Sequence, residues 1–448
     1  MPLPSLRWRF RLYPFAAGNK FHPRGIRSYR AVGVKCSKPV SPCERRILKI
    51  SMSFFAVTAF LTASLAAAQA ESAGTEFQSC LAKLQQQARQ QNLSAKAVTT
   101  VAAMEQQQRV LELDRKQPEF AQTFGDYLKT RVSEDRIRRG REMYTRHRTF
   151  LDQLTAQYGV PGQYLVAFWG LETNYGGYLG NMPTLDSLAT LACDPRRSDF
   201  FTTEFLTALR VMDRESLEPK QMRGSWAGAV GHTQFMPSNY IRFAVDGDGD
   251  GRTDLWRSEK DALASGANFL NHLGWQEGFR WGREVILPVT FDYALAGRKN
   301  ARTLKEWIGL GVRLADDTPL PATDVKGSIL VPAGHRGPAF IVYDNFAIIM
   351  NWNRSESYAL SVSLLADRIA GSTGLRRPPP PDQQPLARAD VLRLQMVLNE
   401  KGYDAGEPDG VFGSGTRRAL SAYQKDTGRI SDGFPDRDVV DALLREAQ

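Results

Sequence analysis

Glu172 is the residue of this chain best placed to move a proton. It closes a stretch that is apolar nearly all round (Tyr164, Leu165, Val166, Ala167, Phe168, Trp169, Leu171) and precedes Thr173-Asn174-Tyr175-Gly176-Gly177. A helix apolar on every side must be buried, and a carboxylate at its end is costly unless it is paired or uncharged. Aromatic neighbours such as Phe168, Trp169 and Tyr175 disfavour the ionised form and raise the pKa. A carboxyl still protonated near neutral pH is what acid catalysis of glycosidic cleavage requires. The plainer alternative is a glutamate whose head simply reaches solvent. No second acid stands in a comparably apolar setting.

Two further groups could do chemistry. Asp246-Gly247-Asp248-Gly249-Asp250-Gly251 puts carboxylates at alternate positions with glycine at the sixth, the first half of an EF-hand loop. In such loops alternate residues point at a hard cation. Asp254 stands at the ninth position, but the twelfth, where a bidentate Glu belongs, is Arg257. A structural Ca2+ is expected, against the alternative of an ion-free Gly-Asp turn; with one loop and no second EF-hand, a calcium sensor is not. No cofactor is expected for the chemistry itself. Cys80 and Cys193 are the two thiols outside the leader, and neither has Cys or His neighbours at metal spacing. In an oxidising compartment they would form a disulfide, against the alternative of two separate buried thiols.

The elements that must position these groups are mostly helical. Apolar residues three and four apart mark helices within 75–157, and Gly159-Val160-Pro161 interrupts them before a buried helix over 162–172. Further helices are expected over 199–213, 259–273 and 357–370. Residues 224–257 read as loops and turns, and 284–291 and 339–343 as short strands. Arg376-Arg377 and four prolines, 378–381, then form a stiff spacer. Beyond it, helices over 389–401, 414–426 and 436–446 suggest a small three-helix module.

Charge narrows the function class. The net charge of +10 is concentrated at the start: residues 1–70 hold 12 of the 58 Lys/Arg and one of the 48 acids, leaving 46 basic against 47 acidic residues. A nucleic-acid groove needs clustered Lys/Arg, and none follows residue 70, so nucleic acid is not expected as a partner. Lys49, the apolar run 52–68 and Ala68-Gln69-Ala70 have the order of a secretory signal peptide. Residues 1–70 therefore read as leader, of which 1–46 need not be translated in vivo. Export to the periplasm is expected, with a retained membrane anchor as the alternative.

Leu171-Glu172-Thr173-Asn174-Tyr175-Gly176 resembles the catalytic segment of the lytic murein transglycosylase B family. Four other segments resemble that family in the right order: 190–197, 224–231, Gln234-Phe235-Met236-Pro237-Ser238, and Asn351-Trp352-Asn353-Arg354-Ser355 with Tyr358. The resemblance runs from about 76 to 370. It implies a mainly α, lysozyme-like α+β catalytic domain (71–372) with a long saccharide cleft. It further implies a one-carboxylate mechanism in which Glu172 acts first as acid and then as base, leaving a 1,6-anhydromuramyl end. Ser225 and Gln234 would bind sugar from one wall and Asn353 from the other, with Tyr358 beside it and Tyr127 as a cleft tyrosine. Phe269 stands where the family has a tyrosine. Some members close a calcium loop with a later Asp, a part that Asp261 could play, although it lies one residue too far along.

After the 373–386 linker, residues 387–448 resemble the peptidoglycan-binding domain of wall hydrolases, through Leu394-Gln395, the turns around Asp409-Gly410 and Phe412-Gly413, and Thr416, Leu420 and Tyr423. Peptidoglycan glycan strands are the expected partner and other cell-wall enzymes further ones, with the chain itself a monomer. The competing readings are a hydrolytic muramidase and a non-catalytic wall-binding scaffold.

Overall fold

The computed structural model describes residues 74–115 and 122–446; the leader lies outside the described residues. Helices dominate, as the periodicity predicts. Six span the first stretch: 74–90, Ala95–Ala102, Gln108–Arg115, Phe124–Arg131, Glu134–Arg146 and Arg148–Tyr158. Ser94, Thr123 and Ser133 start three of them by accepting an amide proton on the side-chain oxygen. Gly159, at φ 72°, ends the sixth. Pro161 then stands as the N-cap of Gly162–Thr173.

Two apolar cores share the larger, mainly helical part of the chain. In one, Gly162–Thr173 packs against Glu356–Ile369 and Glu134–Arg146, with Asp344–Trp352 completing the wall. The other gathers the N-terminal helices around Thr184–Ala192, Ser198–Arg214 and Pro237–Phe243. Glu259–His272 contributes to both, and Trp352 packs against both. Cys80 and Cys193 are joined by a disulfide with Cα atoms 5.8 Å apart, tying the first helix to the end of Thr184–Ala192.

A five-stranded antiparallel sheet interrupts the helices, ordered 302–303, 326–330, 339–342, 282–286, 313–314. The expected strand over 284–291 is shorter, Gly282–Ile286, because Pro288 cannot donate to a ladder. The sheet builds its own core around Trp307 on the helix Leu304–Gly309. Residues 224–257, expected to be loop throughout, also hold the helix Pro237–Phe243, with Pro237 in its first turn where a missing N–H costs nothing.

Arg388–Glu400, Ser414–Asp426 and Arg437–Arg445 close a separate core around Leu394, Leu398, Leu420 and Tyr423. The proline segment before them is not a free spacer. Glu284 accepts the amide protons of Arg376 and Arg377 at 2.8 and 2.7 Å, and Gln383 donates to Ala333 O at 2.8 Å. The buried carboxylate of Asp432 meets both the backbone N–H and the ring Nδ1 of His335 at 2.8 and 2.7 Å.

Candidate active site

The C-terminal end of Gly162–Thr173 sets the geometry. Asn174, Tyr175 and Gly176 all take left-handed backbone angles (φ 53°, 59° and 74°), which turn the chain sharply away from the helix. Two consecutive non-glycine residues in that region are uncommon, and such conformations cluster at functional sites. Here the surroundings hold them. Tyr175 Oη donates to Arg136 O at 2.8 Å, and Arg139 reaches Asn174 O at 2.9 Å. Gly176 has no alternative, since a Cβ there would sit 2.4 Å from His232 Cε1.

The turn leaves Glu172 half-buried, with its carboxyl tethered. Oε1 accepts from Trp352 Nε1 at 3.0 Å and from the hydroxyl of Tyr358, itself fully buried. Burial pushes the carboxyl up to about 7, against the opposing pull of these two donors and of the Arg131 charge. Although part of the side chain is reachable from solvent, burial outweighs all three. The Tyr358 hydroxyl is raised well above its ordinary range, first by burial and then by the neighbouring Glu172, so it stays a donor. Burial takes the Tyr127 hydroxyl to about 12; the charge of Arg131, which lies over its ring, opposes the rise and the charge of Glu172 adds to it.

The other expected residues stand on separate segments, two of which meet residues 179–180 just past this turn. Gln234, at φ 49°, donates through Nε2 to Leu179 O (3.0 Å) and Gly231 O (2.9 Å), which leaves its carbonyl oxygen to accept. Ser225 is buried; its Oγ accepts from Ala229 N at 2.9 Å and keeps a proton to donate. Its segment abuts Gly180, where a Cβ would lie 2.8 Å from Ser225 N. Asn353 follows Trp352 and accepts from Ser355 N at 3.1 Å; Ser355 in turn caps the helix that carries Tyr358. Phe269 is buried against Phe235, Phe243 and Trp352, so its ring packs where a hydroxyl would need a partner.

Sequence reasoning missed three contributors. Trp352 was legible, since a buried indole N–H needs an acceptor. Arg131 acts through charge and carries no local motif. His232 binds the turn to the acidic loop: Nδ1 accepts from Trp169 Nε1 (2.9 Å), the carbonyl from Thr173 Oγ1 (3.0 Å), and its N–H reaches Leu255 O (2.8 Å).

Of the five acids expected at the loop, the structure gathers three. Asp246, Asp248 and Asp261 bring carboxylate oxygens within 4.8 Å of one another. Asp250 and Asp254 are not in that group; they accept the amide protons of Arg252, and of Trp256 and Arg257, closing local turns. Asp261 closes the set because it sits on the helix Glu259–His272, where it also accepts from Gly247 N (2.9 Å) and Asp254 N (2.6 Å). Calcium touches its oxygens at about 2.3–2.6 Å, so three oxygens this close fit one ion.

A family model described as "Transglycosylase SLT domain" matches residues 76–367, and one described as "Putative peptidoglycan binding domain" matches 387–443. The chain belongs to the transglycosylase SLT family. Membrane-bound lytic murein transglycosylase B of Escherichia coli K12 is 31% identical over 250 residues, 54% of this chain and 66% of that protein's length. SltB3 from Pseudomonas aeruginosa, crystallised with NAG-anhNAM-pentapeptide, superposes with a TM-score of 0.79 at 40% identity, covering 82% of this chain and 99% of that one. Escherichia coli Slt35 in complex with calcium gives 0.56 at 28%, covering 66% and 92%. The mainly helical, lysozyme-like fold with small sheets and a helical C-terminal peptidoglycan-binding domain is therefore that of a transglycosylase SLT member, as expected.

Proposed function

We propose that this chain cleaves the β-1,4 bond between N-acetylmuramic acid and N-acetylglucosamine in peptidoglycan, with Glu172 as its one catalytic carboxyl. Glu172 first gives its proton to the bridging oxygen as the C1–O bond breaks. The resulting carboxylate then takes the proton of the 6-hydroxyl of the same muramyl residue as that oxygen bonds to C1. The proton returns to Glu172, no water is consumed, and the product ends in a 1,6-anhydro ring.

The carrying observation is a carboxyl held near pH 7 by burial while Tyr358 and Trp352 fix one oxygen. A group poised there can both give and take a proton. Most glycosidases use a pair of acids; the one-carboxylate mechanism is what the family resemblance implies for Glu172. Gln234, Ser225 and Asn353 serve as sugar contacts through the hydrogen-bonding capacity left to them, with Tyr127 and Tyr358 beside Glu172. The test is mass spectrometry of digested sacculi. Anhydro ends lost in Glu172→Gln support the reading; reducing ends mark a hydrolytic muramidase, and lysis retained by that variant refutes the role.

The same reading divides the chain into a leader (1–70), catalytic domain (71–372), linker (373–386) and wall-binding module (387–448). It places the enzyme in the periplasm, which the Cys80–Cys193 disulfide supports. Among the described residues no helix is long and apolar enough to cross a membrane. Asp246, Asp248 and Asp261 would hold a calcium ion that stiffens the loop bound to His232, with no part in the proton transfers.

A further inference from the structure

Tyr358 and Trp352 hold the Glu172 carboxyl itself. The last turn of the helix beneath it is held separately, by His232. The ring Nδ1 of His232 accepts from Trp169 Nε1 at 2.9 Å, its carbonyl accepts from Thr173 Oγ1 at 3.0 Å, and its ring lies against Gly176. Those partners stand three residues before, one after and four after Glu172, so the turn is gripped on both sides of the acid. Thr173 passes the grip on, since its Oγ1 also accepts from Gly176 N at 3.2 Å.

The side-chain part of this grip has a fixed chemistry. The ring is buried, and burial holds its pKa below the ordinary value against the opposing charges of Glu259 and Asp254. A neutral imidazole keeps one nitrogen as an acceptor, and the buried indole N–H of Trp169 is aimed at it, a donor that would be costly to leave unpaired. His147 stands edge-on to the same indole, with ring centroids 5.8 Å apart and Nε2 2.9 Å from Glu259. Gln234, the proposed sugar contact, lies two residues beyond His232 and has its own anchors on Leu179 O and Gly231 O. One short segment thus carries both the grip on the acid's helix and a group for the sugar.

We propose that His232 is a positioning residue: its Nδ1 fixes the helix end through Trp169, and so aims Glu172 at the glycosidic oxygen of a sugar held at Gln234. This rests on the proposed role of Glu172. The segment around residue 232 would keep its place without the ring, because the carbonyl bond to Thr173 and the amide bond to Leu255 are backbone bonds of His232.

The experiment therefore varies the side chain alone. In His232→Asn the amide oxygen takes the position of Nδ1 and still accepts from Trp169. In His232→Gln it lies one bond further out, and in His232→Leu the acceptor is gone. With the full chain on glycan strands, the Gln and Leu variants should lose about 10²-fold in kcat, the cost of a misplaced reacting group, with KM nearly unchanged, while Asn recovers about tenfold or more of that loss. Trp169→Phe removes the partner donor, so combining it with His232→Leu should cost no more than either change alone. Thermal melts check folding, and if the Leu variant does not fold the Asn–Gln comparison decides. Equal kcat in the Asn and Gln variants, a loss confined to KM, or additive losses in the Trp169–His232 pair would each overturn the proposal. Failure of the Glu172 reading differs: Glu172→Gln would then keep releasing anhydro ends, whatever the His232 variants do.

Discussion

Glu172 and Asp246 are both carboxylic acids on or beside a glycine-rich turn, and the fold treats them in opposite ways. Burial lifts Glu172 to about 7, and two side-chain donors only temper the lift. Asp246 is exposed, and the amide protons of Gly251 and Gly249 hold its carboxyl below the usual range. Backbone amides pin a charge in place, whereas an apolar wall removes it and leaves a transferable proton. Asp261 lies between: burial raises it, and the amides of Asp254 and Gly247 pull it back. The difference separates an acid suited to chemistry from acids suited to an ion.

The contrast is broken most severely by removing the proton. Glu172→Gln should lower anhydro-product release by about 10³-fold, the usual worth of a positioned acid or base. The same variant sharpens the comparison through stability. The folded pKa of Glu172 lies near 7 against 4.5 unfolded, so its neutral form favours folding below pH 4.5 and that advantage is lost as pH rises through 7. Glu172→Gln should then be more stable than wild type at pH 8, by up to about 3 kcal/mol, and no more stable at pH 4; denaturant melts at both values decide it. At the other carboxylate region, Ca2+ at a hundred times its Kd should stabilise the wild type by about 2.7 kcal/mol, and Asp261→Asn should abolish the effect; a melting temperature indifferent to chelator would leave that cluster an ion-free turn. The smallest effect is expected from Tyr358→Phe. Loss of a donor to the carboxylate raises the Glu172 pKa further, so the limb of the pH–rate profile set by Glu172 should move up by about one unit.

Much of this was legible in the residues. The all-apolar run before Glu172 announced a buried helix with a carboxyl at its end, and the 3.6-residue periodicity placed most of the helices around it. What escaped depended on partners distant in sequence. Tyr358 was expected at the site and Trp352 stands in the same motif, but that both bond to Glu172, across 186 and 180 residues, is encoded by no local pattern. Asp254 fits a loop template by counting, yet it turns to its own backbone. Asp261 misses the count, but a helix brings it to the cluster. The short strands 302–303 and 313–314 hold too few residues to show an alternation.

The clasp of Asp432 on His335, with the proline segment pinned by Glu284, has a consequence for how the enzyme meets its polymer. A module on a loose leash samples many offsets from the cutting centre and merely enriches substrate nearby. A module bolted down fixes one offset, so the place where the strand is gripped dictates which linkage is presented for scission.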